Sequence, residues 1–391
     1  MVKEKIAQAI EILKEERIDC WLTFVRETGT IPDPAMELIA GTGVTWQSAF
    51  ILTSKGDAIA IVGSLDKANQ EDHGYYRTIT GYVQSIEKDL TETLKILNPN
   101  KIAVNYSINS SAADGLTYGM YLQLKKYLDK IDMTGRLVSS ESILNKLRGR
   151  KSATEIARVR ASIVQTLEMF DRVTGFIRPG KTERQIAHFL LDLVQKAGVD
   201  LAWDPDHCPA VFTGPDTAGA HAGPTDREVK PGHVLNIDFG IRKEDYCSDL
   251  QRSWYIRRPG EKTAPPEVVR GFKVIFDSIS LAAEGIQPGV KGHEIDGIAR
   301  NHITDNGYAE YPHALGHQIG RSAHDGGGLL APKWERYGTL PDQPVEKDQL
   351  YTLEPRLTIE DYGIATVEEI IAVTQNGCEF LSERQTEIFL V

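Results

Sequence analysis

The stretch from residue 234 to residue 252, VLNIDFGIRKEDYCSDLQR, constrains the fold more than any other part of the chain. Its apolar start predicts a buried strand that runs into Asp238, and residues 246–249 predict a returning strand that ends at Asp249. Aspartates on neighbouring strands point into one pocket, where like charges are costly to bury unless a cation neutralises them or one carboxyl is protonated. The alternative is a hairpin whose aspartates lie in turns, where Asp is common. The stretch by itself leaves both interpretations open.

The composition is typical of a soluble globular protein. The chain has 391 residues, of which 41% are apolar and 25% charged, and this length allows two or three domains with a substantial core. The net charge of -11, without a Lys/Arg-rich run, argues against nucleic acid as a partner. No run of about 18 apolar residues and no signal-like apolar start occurs, so we expect neither a membrane span nor a membrane partner. The four cysteines lack CxxC spacing, which favours reduced thiols and a cytoplasmic location.

The order of helix and strand patterns predicts two domains. Alternating signals, among them a strand at 20–25 and a helix at 115–128, indicate an α/β domain over residues 1–147. No strand in this region leads into a phosphate-binding glycine loop, so we do not expect a dinucleotide site there. After a basic linker at 147–151, a long helical pattern opens a second domain over residues 152–391.

The second domain contains an internal repeat. The sequence FIRPG at 176–180 recurs as GIQPG at 285–289, and an isoleucine and a glycine further on match at the same offset. Each copy predicts a helix, a Pro-Gly turn, a second helix that ends at glycine, and then strands. The repeat therefore predicts two related halves with a binding cleft between them.

Further residues that can bind a metal follow the second copy. The segment PHALGHQIG at 312–320 holds two histidines and is followed by a third, an apolar run ends at Glu354, and Glu368 precedes a strand. Each histidine alone also fits an ordinary hydrogen-bonded imidazole. One of these histidines, the two glutamates and the two aspartates give an imidazole and four carboxylates, with about -4 charge, which two divalent cations would neutralise. The set suits Mn(II), Co(II), Zn(II) or Fe(II) better than a thiolate-bound zinc, and the lack of HExxH argues against a single zinc on a helix.

In these motifs the chain resembles the pita-bread metallopeptidases, which include methionine aminopeptidase, Xaa-Pro aminopeptidase, prolidase (Xaa-Pro dipeptidase) and the metal-free relative creatinase. The resemblance is strong over residues 150–391, and the first domain resembles the N-terminal domain of the prolidase, aminopeptidase P and creatinase branch. It implies a two-domain α/β protein. A creatinase-like N-terminal α/β domain occupies residues 1–147, and a pita-bread catalytic domain of α+β type, with pseudo-twofold symmetry, occupies residues 152–391.

The resemblance also implies roles for individual residues. It implies two divalent metal ions per chain, manganese first, with cobalt, zinc or iron as alternatives. The five implied ligands are Asp238, Asp249, His317, Glu354 and Glu368, of which Asp249 and Glu368 bridge the two ions. The implied catalytic and substrate-binding side chains are Glu354, His221, His313 and His324.

The implied activity is hydrolysis of the Xaa-Pro peptide bond by attack of a metal-bridged hydroxide on the carbonyl. Glu354 takes the proton of the water and passes it to the proline nitrogen, and the substrate is a small peptide with proline after the scissile bond. The resemblance further implies a cytoplasmic homodimer. Alternatives are aminopeptidase P acting on longer Xaa-Pro peptides, a hydrolase of a small C–N compound similar to ectoine hydrolase or creatinase, and a pita-bread binding module without catalysis. The complete ligand set counts against the creatinase-like and the non-catalytic alternatives.

Four positions depart from the family pattern. His233 stands where the family usually has an aspartate, and Thr366 stands where it commonly has an arginine. Arg356 follows Glu354-Pro355, where the family usually has a glycine. Arg321, between His317 and His324, is also unusual. A dipeptidase must bind the carboxylate just beyond proline, so Arg356 and Arg321 are candidates for that contact. A solvent-facing arginine is the alternative for each. The length of the chain resembles that of bacterial Xaa-Pro dipeptidases, which favours dipeptides as substrates.

Overall fold

The computed structural model describes residues 1–217 and 223–391. The chain divides into two units, Met1–Arg148 and Gly149–Val391. His221, one of the implied substrate contacts, lies outside the described residues. Within the residues that are described, no helix is both long enough and apolar enough to cross a membrane.

The first unit is built on one six-stranded sheet. Its strands are β1 (Cys20–Val25), β2 (Ser48–Thr53), β3 (Ala58–Gly63), β4 (Thr78–Tyr82), β5 (Ile102–Val104) and β6 (Leu137–Ser139). Its helices are α1 (Val2–Glu15), α2 (Met36–Ile39), α3 (Lys67–His73), α4 (Glu87–Leu97), α5 (Tyr118–Asp129) and α6 (Glu141–Gly149). The strand order is β4-β3-β2-β1-β5-β6, with β1 antiparallel to β2 and parallel to β5.

Helices cover both faces of this sheet. Alternate residues of β1 enter two separate cores, one with α1, α2 and α6 and the other with α4 and α5. Every residue of β1 is buried, because helices cover both faces of this strand. The helix expected at 115–128 begins later, at Tyr118, where the Thr117 hydroxyl accepts a hydrogen bond from Met120 N. The N–H groups of Gly115 and Leu116 both donate to Asn105 O, at 3.0 Å and 2.7 Å, and these two residues lie outside the helix.

The second unit contains four helices and fourteen strands within the described residues. The helices are α7 (Ala153–Thr174), α8 (Glu183–Ala197), α9 (Pro266–Gly285) and α10 (Gly292–Asp305). The strands of its first half are β7 (Asp200–Leu201), β8 (Ala210–Thr213), β9 (Val234–Phe239), β10 (Ile241–Lys243), β11 (Tyr246–Cys247) and β12 (Leu250–Tyr255). The later strands are β13 (Gly316–His317), β14 (Leu329–Leu330), β15 (Leu350–Leu353), β16 (Arg356–Ile359), β17 (Gly363–Thr366), β18 (Glu369–Val373), β19 (Cys378–Phe380) and β20 (Phe389–Leu390).

The repeat in the sequence corresponds to a repeat in the structure. After α7, Gly180 has φ +86° and its N–H bonds to Val229 O at 3.0 Å; after α9, Gly289 has φ +97° and its N–H bonds to Val345 O at 2.9 Å. Glycine takes this left-handed conformation without strain, which explains the Pro-Gly signature. Each bond ties a helix pair to the segment that leads into a central strand, β9 in the first half and β15 in the second.

The two halves meet through a bridge between β12 and the residue before β18. β9 pairs with β12, with Asp238 opposite Gln251, and β15 pairs with β18. An isolated bridge joins Gln251 to Glu368. The return from β9 is not one strand over 246–249, because β11 ends at Cys247 and Asp249 lies between β11 and β12. The central strands of the two halves therefore deliver carboxylates to one place.

The close approach at Gly316 gives a testable prediction. A Cβ at this position would lie 1.8 Å from Thr352 O, a backbone atom that cannot move aside. We expect Gly316→Ala to lower the free energy of unfolding by about 1–3 kcal/mol, measured by urea denaturation. The control is Gly297→Ala in α10, where a Cβ meets nothing within 4 Å and which should be neutral or stabilising by up to about 1 kcal/mol. Equal stability of the two variants would contradict the prediction.

Candidate metal centre

Five elements of the second unit place the implied ligands. Asp238 lies near the end of β9, Asp249 before β12, His317 at the end of β13, Glu354 after β15 and Glu368 before β18. Asp249 and Glu368 are buried, whereas Asp238 and Glu354 are partly exposed. All five side chains therefore sit at strand ends around one partly open cluster.

His317 lies at the centre of the cluster. Its Nε2 atom is 3.5 Å from Glu354 Oε1, 3.7 Å from Asp249 Oδ2 and 4.0 Å from Glu368 Oε1. One donor atom from each of Asp249, His317 and Glu368 lies within 4.8 Å of the others. Asp238 is close enough to raise the carboxyl pKa of Asp249, Glu354 and Glu368 electrostatically. The structure thus brings the five residues together.

The cluster holds its negative charge away from water. Burial raises the pKa of Asp238 to about 7. Burial, and then repulsion from neighbouring carboxylates, raises the pKa of Asp249, Glu354 and Glu368 well above their ordinary values. Burial and the neighbouring His324 lower the pKa of His317 to about 3, so this imidazole is neutral and offers no compensating charge.

The chemistry of the donor set fits divalent metal ions. Two buried carboxylate oxygens, Asp238 Oδ1 and Glu368 Oε1, have no hydrogen-bond partner within the described residues. A buried polar atom without a partner is costly, and a cation placed among these oxygens would satisfy both. His317 Nδ1 contacts Gln318 O at 3.3 Å, which leaves Nε2 directed at the carboxylates as a metal-binding nitrogen. Four carboxylates and one neutral imidazole are a suitable set for two divalent cations.

A residue that the sequence did not single out also contacts this cluster. Gln251 Nε2 donates to Glu368 Oε2 at 3.1 Å and, over 3.4 Å, to Glu354 Oε2. It stands two positions after Asp249, so strand alternation could have placed it near the ligands. Its partner on the other side is Thr366, whose hydroxyl donates to Gln251 Oε1. Thr366 is itself buried, next to Gln251.

One of the implied substrate histidines packs against a ligand, and another lies in the loop that leads into β13. The exposed ring of His324 packs edge-on against His317, with ring centres 4.2 Å apart. His313 is half-buried, and its Nδ1 donates to Ala314 O at 2.8 Å because a carbonyl oxygen can only accept. Arg300 supports this loop by donating to His313 O at 2.8 Å.

Comparison with known proteins decides the family. Residues 157–375, more than half of the chain, match the model of metallopeptidase family M24. The chain belongs to this family. The expected enzyme class, a metallopeptidase, is confirmed.

Relatives of this M24 chain share both domains. An uncharacterized peptidase of Staphylococcus saprophyticus is 26% identical over 387 residues, which cover 97% of this chain and 99% of the relative. A structure described as Xaa-Pro dipeptidase from Bacillus anthracis matches with a TM-score of 0.76 at 23% identity, covering 100% of both chains. One described as X-Pro aminopeptidase from Thermotoga maritima matches with a TM-score of 0.72 at 23% identity, covering 99% of both chains. The expected fold, an α/β domain followed by a pita-bread catalytic domain, is confirmed.

The two unusual arginines of this M24 chain have different surroundings. Arg356 is half-buried on β16, and burial lowers the pKa of its guanidinium. Within the described residues this guanidinium has neither a hydrogen bond nor an ion pair. The guanidinium of Arg321 lies over the ring of Tyr246, 5.3 Å from its centre, and the Tyr246 hydroxyl donates to Glu155 Oε1 at 3.0 Å. His233, the fourth departure, is partly buried with Nδ1 3.4 Å from Thr213 Oγ1.

The ligand cluster of this M24 chain gives a prediction about metal content. Asp249→Asn removes one negative charge from the cluster, so we expect fewer Mn(II) ions per chain than the two expected for the wild type, and a loss of activity of at least about 10²-fold. Mn(II) should also raise the melting temperature of the wild type more than that of the variant.

The matched control is Asp245→Asn. The Asp245 side chain is 61% exposed and forms an ion pair with Arg242 across a turn, so its loss should change neither metal content nor activity. Metal analysis of Mn(II)-loaded, desalted protein provides the measurement. A wild type that binds no metal, or keeps its activity in a chelator, would contradict the metal site.

Proposed function

We propose that the protein hydrolyses the Xaa-Pro peptide bond with two divalent metal ions, and that dipeptides are its preferred substrates. The observation that carries this proposal is the cluster of four carboxylates and one neutral imidazole, in which two buried carboxylate oxygens have no hydrogen-bond partner within the described residues. The likeness to structures described as Xaa-Pro dipeptidase and X-Pro aminopeptidase supports the substrate class. Manganese is the first candidate for the metal, with cobalt, zinc or iron as alternatives.

The proposed metal ions are held by all five residues of the cluster, with Asp249 and Glu368 shared between them. When bound, two such ions supply Lewis-acid activation of a water molecule and of the peptide carbonyl. Glu354 is the proposed carrier of the proton. Its side chain is 19% exposed whereas that of Glu368 is 1% exposed, so among the glutamates it is the one that a substrate can reach. It takes the proton of the attacking water and passes it to the leaving proline nitrogen.

The histidines are proposed to bind the carbonyl oxygen as its negative charge develops. His324 is exposed beside His317, on the open side of the cluster. In His313, Nδ1 already donates to Ala314 O, so Nε2 can donate to a substrate oxygen only when the ring is protonated. His221 is proposed as a third contact by resemblance alone.

We expect His313→Ala and His324→Ala to lower kcat by about 10² to 10³ each while metal content stays near that of the wild type. The reason is that these groups act on the transition state and not on the ions. His188→Ala on α8 is the control, because His188 is exposed and its Nδ1 contacts Arg184 O within its own helix. Unchanged kcat in both variants would remove the proposed role.

The preference for dipeptides is proposed on the position of Arg356. Arg356 and Thr366 are directly opposite each other on β16 and β17. Opposite residues of an antiparallel pair project from the same face of the sheet. An arginine is common in the family at position 366. In this chain the guanidinium comes from Arg356 instead, at the opposite position on the neighbouring strand. A half-buried guanidinium without a partner gains strongly from a carboxylate that reaches it.

The proposal predicts that Xaa-Pro dipeptides are cleaved with kcat/KM at least about tenfold above that of Xaa-Pro tripeptides. Arg356→Met should narrow this gap by about tenfold, which corresponds to ~1.4 kcal/mol. Arg321→Met tests the other candidate, and Arg257→Met, at an exposed position, is the control. The assay uses Mn(II)-loaded protein with dipeptides, tripeptides and ectoine. Equal or better cleavage of tripeptides would assign the activity to aminopeptidase P instead.

The remaining parts of the proposal rest on resemblance. The segment 1–147 is proposed as the creatinase- and prolidase-like N-terminal domain, and 152–391 as the catalytic domain. We also propose a homodimer in which the first domain contributes to the interface, and a cytoplasmic location.

A further inference from the structure

A buried polar chain runs from β9 to the two glutamates of the candidate metal centre. It consists of Asn236 on β9, Thr366 on β17 and Gln251 on β12, all of which are buried. Asn236 Nδ2 lies 2.6 Å from Thr366 Oγ1 and 3.0 Å from Thr366 O. The Thr366 hydroxyl in turn contacts Gln251 Oε1. The chain ends at Glu354 and Glu368, each of which contacts Gln251 Nε2.

The direction of every hydrogen bond in this chain follows from one atom. Thr366 O is a carbonyl oxygen that can only accept, so the Asn236 group that faces it is the NH₂ group. The same NH₂ group donates to Thr366 Oγ1, and the hydroxyl proton of Thr366 is then directed at Gln251. Of the two amide groups of Gln251, only the oxygen can accept this proton, because the NH₂ group is a donor. The amide NH₂ of Gln251 therefore faces Glu354 and Glu368, and its amide oxygen faces Thr366.

This direction has a consequence for the shape of the ligand cluster. Gln251 contacts the Oε2 atom of both Glu354 and Glu368. The other oxygen of each carboxylate, Oε1, faces His317 Nε2, at 3.5 Å for Glu354 and 4.0 Å for Glu368. One amide thus fixes the rotation of two carboxylates at once. Without it, these two carboxylates, which repel each other, would lose a donor that they share.

We propose that Gln251 is a positioning residue that holds Glu354 and Glu368 in the orientation that binds metal, and that the Thr366 hydroxyl sets the direction of its amide. This inference rests on the proposed metal-dependent function of the same cluster. It also gives a physical reason for threonine at position 366. An arginine has no acceptor atom, so it could not relay the hydrogen bond from Asn236 to Gln251.

The test measures Mn(II) binding to the full-length chain, freed of metal, by isothermal titration calorimetry. We expect Gln251→Leu to weaken the binding of at least one ion by about 10- to 100-fold, as losses of such supporting contacts do in other metal sites. Thr366→Val removes the hydroxyl with little change in shape and should weaken binding in the same direction by several-fold. Thr366→Ser keeps the hydroxyl and should bind as the wild type does.

A double variant separates the relay from general destabilisation. If Thr366 acts through Gln251, then Thr366→Val has little further effect on Mn(II) affinity once Gln251→Leu is present. Two controls match the substitutions. Thr358→Val lies on the same hairpin at an exposed position, and Gln70→Leu removes another buried amide, in the first unit. Neither should alter Mn(II) affinity.

The outcomes distinguish this inference from the proposed function. A wild type that binds no Mn(II) would overturn both. A wild type that binds Mn(II) and hydrolyses Xaa-Pro peptides, with Gln251→Leu and Thr366→Val within twofold of it in affinity, would overturn the positioning role alone. Additive effects in the double variant would overturn the relay. Should Gln251→Leu fail to fold, the contrast between Thr366→Val and Thr366→Ser still decides the matter.

Discussion

Concentrated buried negative charge is the constraint on which the second unit depends. Three carboxylates lie within 4.0 Å of an imidazole that is neutral, and Asp238 is the fourth carboxylate of the cluster, which contains no positive charge of its own. In the metal-free chain the pKa of Asp238 is about 7 against an ordinary value of 3.8. Between these two pH values the folded chain binds more protons than the unfolded chain, and the free energy of unfolding falls as pH rises. Divalent cations that replace those protons remove this cost, so metal binding and folding are coupled.

The duplicated architecture is what allows such a cluster to form. Each half supplies a helix pair fixed by a Pro-Gly turn and a central strand that ends in a carboxylate, Asp238 in one half and Glu354 in the other. Repulsion within the cluster would push the halves apart, and it is opposed by contacts outside the ligands. The bridge between Gln251 and Glu368 joins the halves through the backbone. Arg252 reinforces it by donating to Glu368 O at 2.9 Å and to Glu369 Oε2 at 3.2 Å.

The sequence predicts the parts of this arrangement that depend on local pattern. The apolar run into Asp238 and the Pro-Gly repeat predict a strand and two turns, because alternation and left-handed glycines are encoded within a few residues. The relay through Gln251 could not be predicted in the same way, since its members are far apart in the chain and meet only after the sheets pair. The start of α5 was misplaced for a similar reason. The N–H groups of Gly115 and Leu116 donate to Asn105 O, a contact that the local sequence pattern does not show.

The same limit applies to Arg321 and Arg356, which look equivalent in the sequence. Their difference lies in tertiary contacts, since Arg321 stacks on Tyr246 whereas Arg356 is half-buried opposite Thr366. A sequence shows that an arginine is present but not whether its guanidinium already has a neighbour. Only the pairing of β16 with β17 shows that Arg356 occupies the face from which an arginine at position 366 would project.

The two departures at positions 356 and 366 are therefore best understood as one change. With threonine at 366, the position is small enough to be buried and can relay a hydrogen bond to Gln251. The arginine at 356 then keeps a guanidinium on the same face of the hairpin, one strand away. In the proposed roles, position 366 supports Glu354 and Glu368 through Gln251, and position 356 offers a guanidinium to a substrate carboxylate.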